Sequence, residues 1–250
     1  MTLIVAVYVP TGIVLSGDSR TTGIINQPPA AAPATPAAGP GQPPPATSTA
    51  PPGAPTTVQT PIVLSDAAEK VFLVQRYGIA TFGDAIVNNM PIAHYVEDFQ
   101  ATPPAQTATS TLGLASALLA FMKALAPPPK SGFVVVGYDG VDPWVIAVDV
   151  QNNAVNRINV FPGSAKIDYG IVRGGDSSVA DRLLSQPQFN PPFNVMNLQD
   201  AVDFSRHLIR STIDQMRFEP RFASVGGPID TLVVSPSKAE FLTRKKLHSS

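Results

Sequence analysis

The second residue of the chain, Thr2, carries the side chain with the clearest chemical potential. Because Thr2 is small, we expect the initiator Met1 to be removed, which leaves one residue with both a hydroxyl group and a free α-amine. An unperturbed α-amine has a pKa of about 8, so part of it is neutral at pH 7 and can accept the hydroxyl proton. A nearby fixed cation would enlarge that fraction, because it disfavours the protonated amine. Thr2 is therefore a candidate nucleophile that carries its own base.

The residues after Thr2 predict a β-hairpin. Two apolar runs, Leu3–Val9 and Ile13–Ser16, flank a turn at Pro10–Gly12. The alternative explanation is ordinary, since many proteins begin with Met-Thr and a hairpin near a terminus is common. The chemical interpretation therefore depends on whether the rest of the chain supplies a matching context.

Further motifs follow the hairpin along the chain. In order, they are Gly17–Thr22, Glu69–Val74, Gly78–Ala85, Gly137–Asp139, Gly174–Ser177 and Ser224–Asp230. Together with the hairpin they resemble the motifs of proteasome β-type subunits, the N-terminal-nucleophile hydrolases that include the bacterial proteasome-like proteins. The resemblance covers nearly the whole chain apart from one insertion.

The resemblance implies a catalytic role for several residues. Thr2 would be the nucleophile, Asp18 the buried carboxylate and Lys70 the cation beside the threonine. Asp18 would keep Lys70 charged and oriented, and Lys70 would lower the pKa of the Thr2 amine. The amide of Gly83 would donate to the oxyanion, because a glycine lets the backbone approach the acyl carbon closely. The alternatives are a surface ion pair for Asp18 and Lys70 and a helix-start turn for Gly83.

Two later positions depart from the pattern of the family. Where the family carries a serine in a Gly-Ser-Gly-Ser turn, this chain has Gly174–Asp176, so the accessory hydroxyl is either Ser177 or missing. Where the family carries an aspartate, this chain has Arg221, whereas Ser224 matches plainly. These departures leave open a slow, specialised or inactive enzyme.

The resemblance also indicates which residues shape the primary specificity pocket. They are Thr21, Thr22, Phe72, Thr81, Ala85 and Asn89. The mixture of small, polar and aromatic side chains implies a modest, partly polar pocket for a substrate side chain.

Composition bounds the class of protein. The chain has 250 residues and is 44% hydrophobic, which suffices for a sizeable core, and we expect a single domain. A net charge of −1 gives no indication of a nucleic-acid or membrane partner. Cysteine is absent and the three histidines lack metal-ligand spacing, so we expect no disulfide, metal or cofactor. No signal peptide or membrane span is recognisable, and we expect a cytoplasmic protein.

Residues 27–61 interrupt this pattern with a Pro- and Ala-rich stretch that has no charged residue. Such a segment buries too little apolar surface to offset the entropy of ordering it, so we predict a flexible insertion. Three placements of this insertion are open: a tolerated loop at the surface, a segment over a substrate cleft, or a lining of an inner chamber.

The pattern of apolar residues predicts an α+β fold. Short strands joined by tight turns predict antiparallel sheets, and helical periodicity predicts helices over residues 84–100, 111–126, 176–184 and 198–217. Pro91 either kinks the first of these helices or marks its true start. Two such sheets can stack with helices outside them. The resemblance implies the four-layer αββα sandwich of N-terminal-nucleophile hydrolases.

The sequence therefore favours a threonine-type peptide hydrolase that acts on peptides or unfolded proteins. The resemblance implies assembly into a homo-oligomeric ring or double ring, with any unfoldase partner unspecified. Two alternatives remain open. One is a proteasome-like scaffold or binding chamber without turnover. The other is a transpeptidase or ligase that transfers the acyl group to an amine through the same nucleophile.

Overall fold

A computed structural model describes residues 2–27, 58–186, 188 and 190–245. In chain order, the strands are β1 (Leu3–Val9), β2 (Gly12–Gly17), β3 (Thr21–Gln27), β4 (Val58–Ser65), β5 (Val71–Val74), β6 (Tyr77–Gly83), β7 (Ile86–Val87), β8 (Met90–Pro91), β9 (Ser131–Asp139), β10 (Asp142–Asp149), β11 (Ala154–Arg157), β12 (Gly170–Gly175), β13 (Asp230–Val234) and β14 (Ala239–Thr243). The helices are α1 (Ile92–Gln100), α2 (Pro103–Gln106), α3 (Thr111–Lys123), α4 (Ser178–Leu183) and α5 (Leu198–Met216). The predicted mixture of helices with antiparallel sheets is confirmed.

Two five-stranded antiparallel sheets hold most of the strands. The first sheet has the order β12-β1-β2-β13-β14, and the second has the order β11-β10-β9-β6-β5. Two small sheets, β3-β4 and β7-β8, complete the described strands. The predicted hairpin is confirmed as β1-β2, with Val5 opposite Ser16, and it occupies the middle of the first sheet. Thr2 stands directly before its first strand.

Three hydrophobic clusters fill the core, and β1 contributes to two of them. Ile4 and Ala6 pack between the two sheets, against side chains such as Val134 of β9. Leu3 and Val5 point to the other face of the first sheet, where the apolar stripe of α5 packs. The third cluster joins the outer face of the second sheet to α1, α2 and α3. Strand β1 is fully buried because alternate residues enter different clusters.

Helices α3, α4 and α5 lie within the ranges predicted from the sequence, α1 starts later than predicted, and the short helix α2 was not predicted. Helix α5 begins after Asn197, whose side chain accepts a hydrogen bond from the backbone N–H of Asp200, as an N-cap residue does. Helix α1 starts directly after Pro91, so of the two possibilities the proline marks the start. The helix predicted over residues 84–91 is wrong, because Asn88 and Asn89 have positive φ angles and turn the chain between β7 and β8.

Residue contacts divide the chain into two compact units. The larger unit comprises Met1–Thr22 and Val63–Ser250, and the smaller unit is Gly23–Ile62. Most of the predicted flexible insertion at residues 27–61 lies outside the described residues. Its flexibility and the single-domain organisation therefore stay predictions. Along the described parts of the chain, no helix has the length and apolar character needed to cross a lipid bilayer.

Candidate active site

Asp18 is the centre of a buried polar cluster at the end of β2. Its side chain has no exposed surface, and its Oδ1 atom accepts three hydrogen bonds. The donors are the Thr2 hydroxyl at 2.9 Å, the Leu3 amide at 2.9 Å and the Lys70 ammonium at 2.7 Å. One carboxylate oxygen therefore joins the predicted nucleophile to the predicted cation.

The second oxygen of Asp18 fixes the carboxylate from the other side. Its Oδ2 atom accepts hydrogen bonds from the backbone amides of Arg20 at 3.1 Å and Gly226 at 2.9 Å. The Gly226 contact spans a large separation in sequence, so it ties the segment before β13 to the end of β2. Five donors hold the group in one orientation, as a buried carboxylate requires.

Lys70 lies immediately before β5 and reaches the same cluster. Its ammonium donates to Asp18 and, at 2.6 Å, to the carbonyl oxygen of Arg20, while its side chain is only 6% exposed. Burial lowers the pKa of Lys70 below its ordinary value, although the charge and hydrogen bond of Asp18 act in the opposite direction. The alternative of a surface ion pair between Asp18 and Lys70 is therefore wrong.

Thr2 is also buried, with 4% of its surface exposed. Its hydroxyl and the Lys70 ammonium donate hydrogen bonds to the same oxygen of Asp18. Its carbonyl oxygen accepts a hydrogen bond from the Asp176 amide at 2.6 Å. Gly175 lies so close that an added Cβ atom would stand 1.9 Å from this carbonyl oxygen, and its φ angle of +92° also favours glycine. Met1 lies outside the described residues, so its removal stays a prediction.

Asp176 is a residue of the site that sequence reasoning missed. Its carboxylate accepts hydrogen bonds from the hydroxyls of Ser224 at 2.6 Å and Ser178 at 2.9 Å, and it pairs with the Arg221 guanidinium at 2.8 Å. Burial alone would raise the pKa of Asp176, but these hydrogen bonds and the charge of Arg221 outweigh it and lower the pKa. The sequence offered one signal for the pair, the arginine at position 221 where an aspartate was expected, but nothing in the sequence identified Asp176 as its partner.

The two predicted accessory serines have different positions. Ser224 is 1% exposed, and its hydroxyl donates a hydrogen bond to the carboxylate of Asp176. It stands two residues before Gly226, whose amide donates to Asp18. Ser177 precedes α4, and its hydroxyl donates to Asp181 of that helix at 2.7 Å. The structure therefore brings Ser224, but not the Ser177 hydroxyl, into the cluster around Thr2.

A cavity of about 390 Å³ opens beside Thr2. Its walls include the predicted site residues Thr2, Lys70 and Gly83 and the predicted pocket residues Thr21, Thr81 and Ala85. Gly83 ends β6 with a φ angle of +104°, and an added Cβ atom would stand 2.4 Å from the carbonyl oxygen of Lys130. A side chain at this position would strain the backbone that borders the cavity. Much of the remaining wall is apolar and includes Leu64, Phe82, Ile86 and Ile92.

Three predicted pocket residues are not among those that line this cavity. Phe72 is 3% exposed and packs in the cluster beneath the second sheet, because strand alternation sends it away from its neighbour Val71. Asn89 lies in the turn between β7 and β8, and Thr22 follows the lining residue Thr21 in β3. The described pocket is consequently more apolar than the sequence predicted.

Comparisons with known proteins do not add to this interpretation. No protein-family model matches the chain. A search of curated proteins found no match either. Within residues 2–27, 58–186, 188 and 190–245, His, Asp and Glu side chains form no group of three or more suited to a metal ion. The chemistry of the site must therefore be argued from its own geometry.

Proposed function

We propose that the protein is a threonine-type peptide hydrolase of the N-terminal-nucleophile class. The observation that carries the proposal is the convergence of the Thr2 hydroxyl and the Lys70 ammonium on one oxygen of Asp18, next to a cavity. A buried ion pair beside a cavity, with a carboxylate that accepts five hydrogen bonds, is an arrangement typical of functional sites.

In the proposed reaction, the Thr2 α-amine acts as the base after Met1 is removed. The Thr2 oxygen attacks the peptide carbonyl and the amine takes the hydroxyl proton. The same proton then passes to the leaving amine as the C–N bond breaks, which leaves an ester on Thr2. Water, deprotonated by the amine, attacks the ester, and the proton returns to the Thr2 oxygen as the acid product leaves. The positive charge of Lys70 keeps the amine neutral for a larger fraction of time.

The cavity supplies the other parts of the proposed mechanism. The Gly83 amide would donate to the developing oxyanion, and the φ angle of +104° that favours glycine here supports a close approach of the backbone to the substrate. The apolar wall around Phe82, Ile86 and Ile92 would receive the side chain before the cleaved bond. Thr21 and Thr81 would form the polar part of the same pocket.

The fold that accompanies this function would be the four-layer αββα sandwich. The three hydrophobic clusters support it, because one lies between the sheets and the other two lie between a sheet and helices. We also propose a cytoplasmic homo-oligomeric ring. Helix α3 supports an interface, since Lys123 is its only charged residue and Leu112 is 43% exposed. Native mass spectrometry tests the ring directly.

A cleavable N-terminal extension tests the proposed function. The protein would be expressed with a blocking segment whose removal by a site-specific protease leaves Thr2 as the first residue. We expect fluorogenic peptides to be hydrolysed only after cleavage, and neither before cleavage nor by a cleaved Thr2→Ala variant.

Three other results would redirect the interpretation. Equal hydrolysis before and after cleavage would contradict a role for the Thr2 amine. A cleaved protein that binds peptides without turnover would favour the scaffold, and ligated products in the presence of an added amine would favour acyl transfer.

A further inference from the structure

Hydrogen bonds form a closed ring around Thr2. The Thr2 hydroxyl donates to Asp18, and Asp18 accepts from the Gly226 amide. Two residues earlier in the same segment, Ser224 donates to the carboxylate of Asp176, and the Asp176 amide donates back to the Thr2 carbonyl oxygen. Thr2 is therefore held at two points, by Asp18 through its side chain and by Asp176 through its backbone.

The part of this ring around Asp176 contains an ion pair. The Asp176 side chain is 7% exposed, and its pairing with Arg221 supplies the countercharge that a nearly buried carboxylate needs. Arg221 also donates to the hydroxyl of Ser178, which itself donates to Asp176. The turn that carries the Asp176 amide follows directly on β12, which pairs with β1 as far as Gly175 opposite Leu3. The Asp176 side chain holds the same turn on the side away from this strand pair, through Arg221, Ser178 and Ser224.

We propose that Asp176, held by Arg221 and Ser224, is a positioning residue that fixes Thr2 for the reaction. This inference rests on the proposed function for its kinetic consequences. Asp176 and Arg221 do not line the cavity, so they act on the geometry of the nucleophile and not on substrate binding. Arg221, one of the two departures from the family pattern, then has a role in the site and does not by itself indicate a lost activity.

The chain contains a matched control for this pair. Asp181 in α4 also pairs with an arginine, Arg173, and also accepts a hydrogen bond from a serine hydroxyl, that of Ser177. The lowered pKa of its carboxyl resembles that of Asp176, although burial again acts in the opposite direction. In contrast to the contacts of Asp176, these two side-chain contacts of Asp181 do not lead to Thr2. Asp181→Asn therefore removes an arginine-paired carboxylate from the adjacent helix without disturbing the ring, at a side chain that is 46% exposed where that of Asp176 is 7% exposed.

The test compares Asp176→Asn with Asp181→Asn in the processed full-length protein. We expect Asp176→Asn to lower kcat about 10-fold to 100-fold, the scale of a small misplacement of a reacting group, with KM changed less than about 2-fold. Asp181→Asn should leave both constants within about 2-fold of the starting protein. Arg221→Lys should retain more of the rate than Arg221→Met, because it keeps the countercharge.

A measurement that needs no turnover separates this inference from the proposed function. In hydrogen exchange followed by mass spectrometry, Asp176→Asn should speed exchange in peptides containing residues 2–5 and 174–177, and Asp181→Asn should leave residues 2–5 unchanged. Unchanged exchange at residues 2–5 in Asp176→Asn would overturn the inference. If exchange changes as expected but the starting protein hydrolyses nothing, the anchoring is supported and the proposed function is the part that fails.

Discussion

At the level of single residues, Asp18 and Lys70 form an ion pair that is removed from water, and its two members are not equivalent. Asp18 has five donors around its carboxylate, and four of them remain if Lys70 is removed. The Lys70 ammonium has Asp18 as its anionic partner and one carbonyl oxygen. Removing the carboxylate therefore leaves a buried cation without a countercharge, which is the more costly defect.

We predict that Asp18→Ala destabilises the protein by about 3–5 kcal/mol, whereas Lys70→Met costs clearly less. Chemical denaturation of both variants, followed by far-ultraviolet circular dichroism, measures the two free energies of unfolding. Both variants should lose activity if the proposed function holds, so the difference in stability is the informative quantity. An equal cost, or a larger cost for Lys70→Met, would contradict the asymmetry.

The acid sensitivity of folding tests the charge state of Asp176. Its carboxyl has a pKa below the ordinary value of 3.8, so it stabilises the fold fully above that value and loses this contribution as the pH falls through the lower, folded pKa. We predict that stability decreases less steeply below about pH 4 in Asp176→Asn than in the starting protein. Thermal unfolding at a series of pH values measures the slope, and identical slopes would show that Asp176 keeps its ordinary pKa.

At the level of elements, the strands and helices with the strongest local sequence patterns were predicted correctly. Apolar runs predicted β1 and β2, and helical periodicity over residues 198–217 predicted α5 almost to the residue. Strand β3 was missed because Thr21–Gln27 includes glycine and asparagine and no long apolar run. Helix α1 was predicted to begin too early, since Ala85, Ile86 and Val87 imitate the start of a helix until two asparagines turn the chain.

The sequence likewise predicted some residues of the candidate site and missed others. Thr2, Asp18, Lys70 and Gly83 lie in motifs of recognisable order, and the structure brings all four together or beside one cavity. The pairing of Asp176 with Arg221 joins residues 45 positions apart in sequence, and no local pattern encodes such a contact. The inward orientation of Phe72 likewise depends on strand register, because a shift of one residue exchanges the two faces of a strand.

The approach of β12 to Thr2 gives a prediction about backbone geometry. Gly175→Ala would place a methyl group against the Thr2 carbonyl oxygen, whereas Gly140→Ala, at a φ angle of +68°, meets no atom within 4 Å. Both changes carry the cost of a left-handed alanine, about 1 kcal/mol. We predict that only Gly175→Ala abolishes peptide hydrolysis and costs substantially more stability. Thermal denaturation and activity are the measurements, and similar effects of the two variants would contradict the close approach.

At the level of the whole molecule, the three described core clusters draw on the first sheet with α5, on the second sheet with α1, α2 and α3, and on the two sheets together. Most of the apolar burial that stabilises the larger unit is thus supplied by the two five-stranded sheets and the helices packed on them. We expect the Pro- and Ala-rich sequence to contribute little to such a core, because residues 28–57 include no Val, Ile, Leu, Met or aromatic side chain.

We predict that replacing residues 28–57 with a short Gly/Ser linker changes the free energy of unfolding by no more than about 1 kcal/mol, because loop closure entropy depends weakly on length. Denaturant titration of the shortened protein measures this change. A shortened protein that is insoluble or loses several kcal/mol would show that the segment is part of the folded core.

The most direct measurement of the central claim is the intact mass of the protein before and after treatment with a peptide epoxyketone, a reagent that joins to both the hydroxyl and the amine of an N-terminal threonine. The account predicts a mature chain without Met1, one adduct per chain mapped to Thr2, and no adduct in Thr2→Ala. A chain that retains Met1, or has Thr2 unmodified by the reagent, and still hydrolyses peptides at the full rate would contradict it.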